Sequence, residues 1–390
     1  MMPEHADTHI GTRMREIRKR RGLSQSDLSG AAGVSLSLIR KLEQGQLHTT
    51  RMETAHKLAR AMRVHTSQLL DRDDVQHPEP SEPWLPLRQA VEAPAIEPDE
   101  EPTIAGVQAL LPAIRKSYFA NRLAELSTLL GPALRDADAL GDSQPARTLR
   151  AHLLQIAGSA LTQVREFDAA ESALRRALDD APDRIRGAAV VTTWSWLLVR
   201  QGRLAEARTL ATRWADDTEP RISRATPEEL AAWGWLLLQA SAACLRDNRR
   251  GEAADMMRLA QSVSILTGRE LPRGQDRLTT WGPATVGYKA AERYVVLDQP
   301  DRVVAMARRG KGSQKASTEY WRHRLDVAKA HTLLRQYTEA VDTLSGIQAQ
   351  APEWLTSQRY AQDILADVIG RRRTLTPQMR DLADALSVPV

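Results

Sequence analysis

Cysteine occurs once in 390 residues, as Cys244, so an intrachain disulfide is excluded and a reducing compartment is expected. That residue lies in an apolar, helix-patterned run and reads as a buried structural thiol. No apolar run reaches membrane-spanning length, and the N-terminus lacks the apolar core of an export signal. A cytoplasmic protein without membrane attachment is therefore expected. Strand-type alternation is missing, which predicts an all-α chain. Signatures of chemistry are missing too: there is no His-Glu-x-x-His, no paired cysteine motif, no Gly-x-Ser-x-Gly and no dinucleotide fingerprint. The nine histidines are scattered. We expect no enzyme, no metal site and no cofactor. Lysine is scarce against arginine and alanine is abundant, a composition associated with high-GC bacteria.

What is present concentrates in residues 9–72, most tightly between Gly22 and Gly45. Ser24 precedes a short helical stretch that Gly33 ends, and Ser35 precedes a second that Gly45 ends. A serine hydroxyl accepts from an unpaired first-turn N–H, and glycine turns the chain through positive φ. Helix, short turn and helix form the helix-turn-helix unit, whose second helix enters the DNA major groove. On that second helix Ile39 and Leu42 share a face and must point into a core. Ser37, Arg40, Lys41 and Gln44 fall roughly opposite, a face suited to base edges and phosphates. Ile10, Met14 and Ile17 pattern a helix upstream. Met52, Ala55, Leu58, Ala59 and Met62 pattern one downstream, and His65–Leu70 suggests a short fifth. Twelve basic residues against four acidic ones between Thr8 and His65 give this segment more positive charge than the whole chain's +5.

The order Arg-x-x-x-Gly-Leu-Ser-Gln from Arg18, Gly-Val-Ser from Gly33, and Ile-x-x-x-Glu-x-Gly from Ile39 resembles the lambda-repressor-like, Cro-type (XRE) DNA-binding domain. The resemblance covers about the first 70 residues and implies five helices. It implies that Gln25 fixes a phosphate and braces the recognition helix. It also places Leu36, Ser37, Arg40 and Lys41 where bases are read. Leu36 replaces a polar residue common there, and Ser29 a small alanine. The candidate DNA-contact residues are Ser24, Gln25, Ser35, Leu36, Ser37, Arg40, Lys41, Gln44 and Arg51.

Residues 1–76 thus read as a DNA-binding domain and 77–102 as an extended linker, rich in proline and acidic residues. Within the linker, Trp84, Leu85 and Leu87 either dock on a neighbouring domain or sit in a loop. From 103 to 390 the pattern is helical. Helices are expected near 104–118, 121–140, 145–165, 168–180, 184–201, 203–216, 227–246, 251–266, 282–297, 300–309, 318–335, 338–349, 354–371 and 376–386. They pair, and the second members open alike: Phe167-Asp168-Ala169-Ala170, Leu204-Ala205-Glu206-Ala207, Arg250-Gly251-Glu252-Ala253, Tyr337-Thr338-Glu339-Ala340. Such periods mark stacked helical hairpins. The junctions Leu197–Ala207 and Ala328–Ala340 resemble tetratricopeptide repeats, which implies a tetratricopeptide-like α-solenoid whose first helices line a concave face. Aromatic residues concentrate on those first helices. In each Trp-x-Trp pair the rings point about 200° apart on the wheel, so one can pack in the core while the other faces outward, and core packing is the first expectation for most of these rings. Trp194, Trp196, Trp233, Trp235, Tyr288 and Trp321 are the candidate ligand-binding residues. The run Arg308–Lys315 reads as a basic, glycine-broken loop, and Arg371-Arg372-Arg373 as a helix end.

A Cro-type reader joined to such an array is similar to bacterial regulators of the RRNPP group and to actinobacterial XRE regulators. The resemblance implies a sequence-specific transcriptional regulator. Its expected partners are double-stranded DNA, a second copy of the chain, and a peptide or small-molecule effector. The peptide sensors often hold ligand backbone with asparagines, of which this sequence has only Asn121 and Asn248. A protein-interaction adaptor, with the array recruiting a partner protein, is the alternative.

Overall fold

The structure, a computed structural model, describes residues 9–70, 82–93, 101–274, 277–309, 317–372 and 374–389. Among these residues the chain is all-α, with no strand. The helices α1 Ile10–Arg20, α2 Gln25–Ala32, α3 Leu36–Glu43 and α4 Met52–Met62 come first. They are followed by α5 Leu85–Glu92, α6 Ile104–Phe119, α7 Leu123–Ala139, α8 Gln144–Val164, α9 Phe167–Asp179, α10 Arg184–Gln201 and α11 Leu204–Thr218. Next are α12 Pro227–Arg246, α13 Arg250–Thr267, α14 Pro283–Val296, α15 Pro300–Arg309, α16 Thr318–Leu333 and α17 Tyr337–Gln348. The chain closes with α18 Pro352–Thr356, α19 Arg359–Ile369 and α20 Pro377–Leu386.

Three local expectations change. The fifth helix of the N-terminal domain is a three-residue 3₁₀ turn, Thr66–Gln68, whose entry is closed by the His65 N–H donating to Gln68 Oε1 at 3.0 Å. The single helix expected over 354–371 is two, α18 and α19, separated where Gln358 is extended. The stretch read as an extended linker contains α5. Pro86 sits in its first turn, where the missing N–H costs nothing, so the local proline density does not prevent a helix. Gly310–Lys315, Arg373 and the acidic Glu97, Asp99 and Glu100 lie outside the described residues.

One junction recurs six times among the described residues. A helix ends, one residue adopts left-handed φ, and the next helix starts two residues later. The left-handed residues are Asn121, Arg165, Gly202, Asn248, Asp298 and Arg335, and α7, α9, α11, α13, α15 and α17 follow them. At each, the residue after the turn donates its N–H to the carbonyl five positions back: Arg122 to Ser117, Glu166 to Leu161, Arg203 to Leu198, Arg249 to Cys244, Gln299 to Tyr294 and Gln336 to His331. This Schellman pattern satisfies carbonyls that a helix end leaves open. Both asparagines of the protein occupy these junctions. Asparagine is the residue after glycine that best tolerates this backbone.

The chain divides into two compact units, Met1–Glu79 with Trp194–Asp217 and Leu236–Leu259, and Pro80–Thr193 with Thr218–Trp235 and Ala260–Val390. In the first unit, Ile10, Met14, Leu28, Ile39, Leu42 and Leu58 form a fully buried core. Polar bonds then tie this N-terminal helical bundle to the turn between α12 and α13. Thr66 Oγ1 donates to the Arg246 carbonyl at 2.6 Å, and His56 Nδ1 lies 2.9 Å from the same oxygen. Ser67 N–H donates to Asp247 Oδ1 at 2.8 Å, and Asn248 Nδ2 to the Val64 carbonyl at 3.1 Å. His65 Nδ1 stands 3.0 Å from the Asp247 carbonyl.

In the second unit, Trp84 just before α5 and Leu87, Ala90 and Val91 on it are buried, while Leu85 stays exposed. Arg88 pairs with Glu166 at 2.9 Å. Arg176 donates to the carbonyl of Val91 at 2.9 Å, closing the C-terminal end of α5. Gly234 admits the ring of Trp281, whose nearest carbon would stand 2.0 Å from a Cβ at that position. Trp354 is fully buried and gives its indole N–H to Gln163 Oε1 at 3.1 Å.

Candidate DNA-reading surface

The surface begins with two capped helix starts. Ser24 Oγ accepts the Asp27 N–H at 3.0 Å, and the Asp27 carboxylate accepts the Ser24 N–H at 2.9 Å. This reciprocal capping box holds the Asp27 pKa below the ordinary range, through the Ser24 side chain first and its backbone second. Ser35 Oγ accepts the Leu38 N–H at 3.3 Å and starts α3. Between them Gly33 takes φ +63°, the left-handed turn that brings α3 round against α2.

On α3, Ile39 and Leu42 are buried as the wheel requires. Ser37, Arg40, Lys41 and Gln44 are exposed along one row, and Leu36 is half-buried at its first position. Neither Arg40 nor Lys41 has an ion-pair partner among the described residues. Arg51 is exposed just before α4 and contributes no side-chain cap to it. Ser24 and Ser35 are exposed cap residues. Each hydroxyl accepts a backbone N–H and retains a proton to donate.

The α3 helix is anchored by a network that joins the two ends of the sequence motif. Arg18 Nε donates to Glu43 Oε1 at 2.6 Å and Arg18 Nη2 to Glu43 Oε2 at 2.8 Å. Its third nitrogen, Nη1, donates to the Leu23 carbonyl at 2.7 Å. Gln25 Nε2 donates to Glu43 Oε2 at 2.8 Å, so Gln25 engages α3 directly. The Glu43 side chain is only 4% exposed and that of Arg18 10%. Burial alone would raise the Glu43 pKa. Hydrogen bonds from Arg18 and Gln25, with the charges of Arg18 and Arg15, outweigh it and hold the carboxyl below its ordinary value. Arg18 was counted above in the cationic footprint, but its charge is neutralised inside the domain. The sequence signal that sets it apart is its place one turn after Met14, on the apolar face of α1.

Geometry and charge here define a helix-turn-helix DNA-binding domain. Residues 14–69 match the family model described as helix-turn-helix. The sequence gives no match to a curated protein.

The candidate ligand-binding aromatics are dispersed. Trp233, Trp235 and Trp321 are buried, whereas Trp194, Trp196 and Tyr288 are half-buried. At 233 and 235 the pair does not split inward and outward: both rings pack in the core, the first expectation for most of them, and Trp235 gives its indole N–H to the Thr280 carbonyl at 2.8 Å. Arg200 lies over the Trp196 ring at 5.5 Å. Tyr288 stacks on His323 with centroids 4.8 Å apart, and burial pushes the His323 pKa down to about 4. Cys244 is buried as expected, and burial pushes its thiol up to about 12. Among the described residues no helix is long and apolar enough to cross a membrane.

Proposed function

We propose that the protein is a sequence-specific transcriptional regulator that lays α3 in the major groove of duplex DNA. The observation that carries this reading is the exposed row Ser37, Arg40, Lys41 and Gln44 on a helix anchored from behind by Arg18, Gln25 and Glu43. Arg40 and Lys41 supply cations for guanine edges or phosphates, and Ser37 and Gln44 supply polar groups. Leu36 offers an apolar contact to a thymine methyl. Selection of bound sites from random duplex, followed by salt-dependent affinity for the winner, tests the reading. Replacing Arg40 and Lys41 together by alanine should weaken that complex ~30-fold or more. It should also flatten the log–log salt slope by up to ~2. An unchanged slope would remove α3 from the groove.

The helical region after Thr103 reads as a tetratricopeptide-like array that supplies dimerisation and effector sensing. The six-fold Schellman junction supports the repeat character, because one backbone solution recurs where the sequence does not. The half-buried Trp194, Trp196 and Tyr288 remain the aromatic candidates for a peptide or small-molecule effector. A dimer on a pseudo-palindromic site would place two readers about one helical turn, or a multiple, apart. An apolar cluster on α13 supports self-association: Ile265 is 73% exposed and Leu266 54%. Ile265→Asp should yield a monomer in sedimentation at concentrations where the unmodified chain is dimeric. The adaptor reading draws on the same cluster, which would then meet another protein. It gains if the unmodified chain sediments as a monomer.

A further inference from the structure

The first compact unit carries a second cationic surface, with no residue of α2 or α3 in its lining. A cleft of about 620 Å³ opens where the reader is tied to the α12–α13 turn. Arg21, Arg60, Arg63, His65 and Gln68 line it from the reader, and Asn248 and Arg250 from the turn. Among the described residues no acidic side chain lines it. Among the described residues Arg60, Arg63 and Arg250 have no ion-pair partner, and the Arg21 guanidinium donates to the Arg63 carbonyl at 3.3 Å. The one acid of the turn, Asp247, is engaged by the Ser67 N–H and by Arg249 at 3.0 Å. The excess positive charge reaches the neighbouring His56. Burial is the largest influence lowering its pKa, and Arg246, Arg60 and Arg250 lower it further, against the raising effect of its bond to the Arg246 carbonyl.

Four guanidiniums converge here with no acid among the described lining residues; they repel one another, and a bound anion turns that repulsion into attraction. Arginine's planar fork matches phosphate oxygens in pairs. The volume exceeds what one phosphate fills. Because Arg250 faces the reader's arginines across the seam, a ligand there would touch both sides at once. We propose that this cleft binds a small anion carrying two or more phosphate groups and bridges the reader to the α12–α13 turn through it.

The binding claim stands apart from the regulator reading; only its consequence for DNA affinity rests on that reading. The test is calorimetric titration of the full-length chain with inorganic tripolyphosphate at fixed ionic strength. One saturable site is expected. Arg60→Gln and Arg250→Gln should each weaken it at least tenfold, while Arg40→Ala with Lys41→Ala leaves it unchanged. Should Arg60→Gln disturb the reader's fold, Arg250→Gln on the opposite side decides alone. Absence of saturable binding overturns the proposal. So does binding lost with Arg40 and Lys41 but kept without Arg60 and Arg250, since the probe would then be mimicking DNA on α3. Binding insensitive to every variant also overturns it, as an adventitious polyanion. Addition of tripolyphosphate should then shift affinity for the selected duplex. Binding without that shift supports the cleft and counts against effector sensing.

Discussion

Gly11→Ala should collapse the DNA reader, although helix propensity alone says that it should stabilise it. In a helix interior alanine is favoured over glycine by about 1 kcal/mol. Gly11 is buried in the first turn of α1, however, and a Cβ there would lie 1.8 Å from the Leu42 carbonyl oxygen and 2.4 Å from its carbon. Both obstructing atoms are backbone, so no side-chain rotation relieves the clash. The last turn of α3 would have to move away from α1, taking Lys41 and Gln44 with it and opening the bond between Arg18 and Glu43. Overpacking of this kind costs about 3 kcal/mol or more when the backbone itself must shift. The clash therefore outweighs propensity several-fold. Gly30 is the control: it lies inside α2, a Cβ there meets nothing within 4 Å, and no positive φ holds it. Gly30→Ala should gain up to ~1 kcal/mol. Amide exchange in α1 and α3 of the full-length chain reads both effects. Faster exchange for Gly11→Ala beside slower exchange for Gly30→Ala is the expected pair. Equal protection in the two variants would show that α1 and α3 do not need their close approach.

The reader was legible because its signals are local. A serine before each helix, a glycine after it, and Ile39 and Leu42 three apart each act within one turn of chain. Gly11 gave no such signal, because what forbids its side chain is a carbonyl 31 residues away. Arg18 was hidden differently: four consecutive basic residues look alike until a buried carboxylate selects one. The α5 helix was obscured by prolines, and only the position of Pro86 in the first turn makes them compatible with it. The repeated junction was visible as similar helix openings, but its left-handed residue is Asn, Arg, Gly, Asn, Asp and Arg in turn. What recurs there is a backbone hydrogen bond, which leaves no fixed letter. The wheel could not decide whether Trp233 and Trp235 split inward and outward, because it assumes one buried side, whereas both faces of α12 are covered at that level. The bonds that tie the reader to the α12–α13 turn span about 180 residues and pair ordinary side chains, so no window of sequence could have held them.

Arg18→Ala should cost the reader about 3–5 kcal/mol, the usual consequence of stranding one member of a buried ion pair. It should also invert the reader's response to acid. In the unmodified protein the Glu43 pKa is lower folded than unfolded. The unfolded chain therefore takes up the proton first as pH falls. The stability that Glu43 contributes is fully present above the ordinary carboxyl range. It declines as pH drops from there and is gone below the depressed folded value. Without Arg18, the hydrogen bond and charge that most oppose burial are removed. Gln25 and Arg15 remain, but burial is the largest single influence on Glu43, and without Arg18 it should prevail and carry the folded pKa above the ordinary value. The folded state now binds the proton more tightly, so acidification towards that raised pKa should recover stability in Arg18→Ala while none is gained by the unmodified protein. Glu43→Gln separates charge from shape. It keeps an acceptor for Arg18 but loses the second anionic oxygen shared with Gln25, and it should abolish both pH trends. Amide exchange of α3 between pH 7 and pH 4 measures all three chains. Parallel curves for the unmodified protein and Arg18→Ala would mean that the Arg18–Glu43 pair does not anchor the recognition helix. Opposite slopes would tie the placement of Arg40 and Lys41 to a bond made on the far side of the domain.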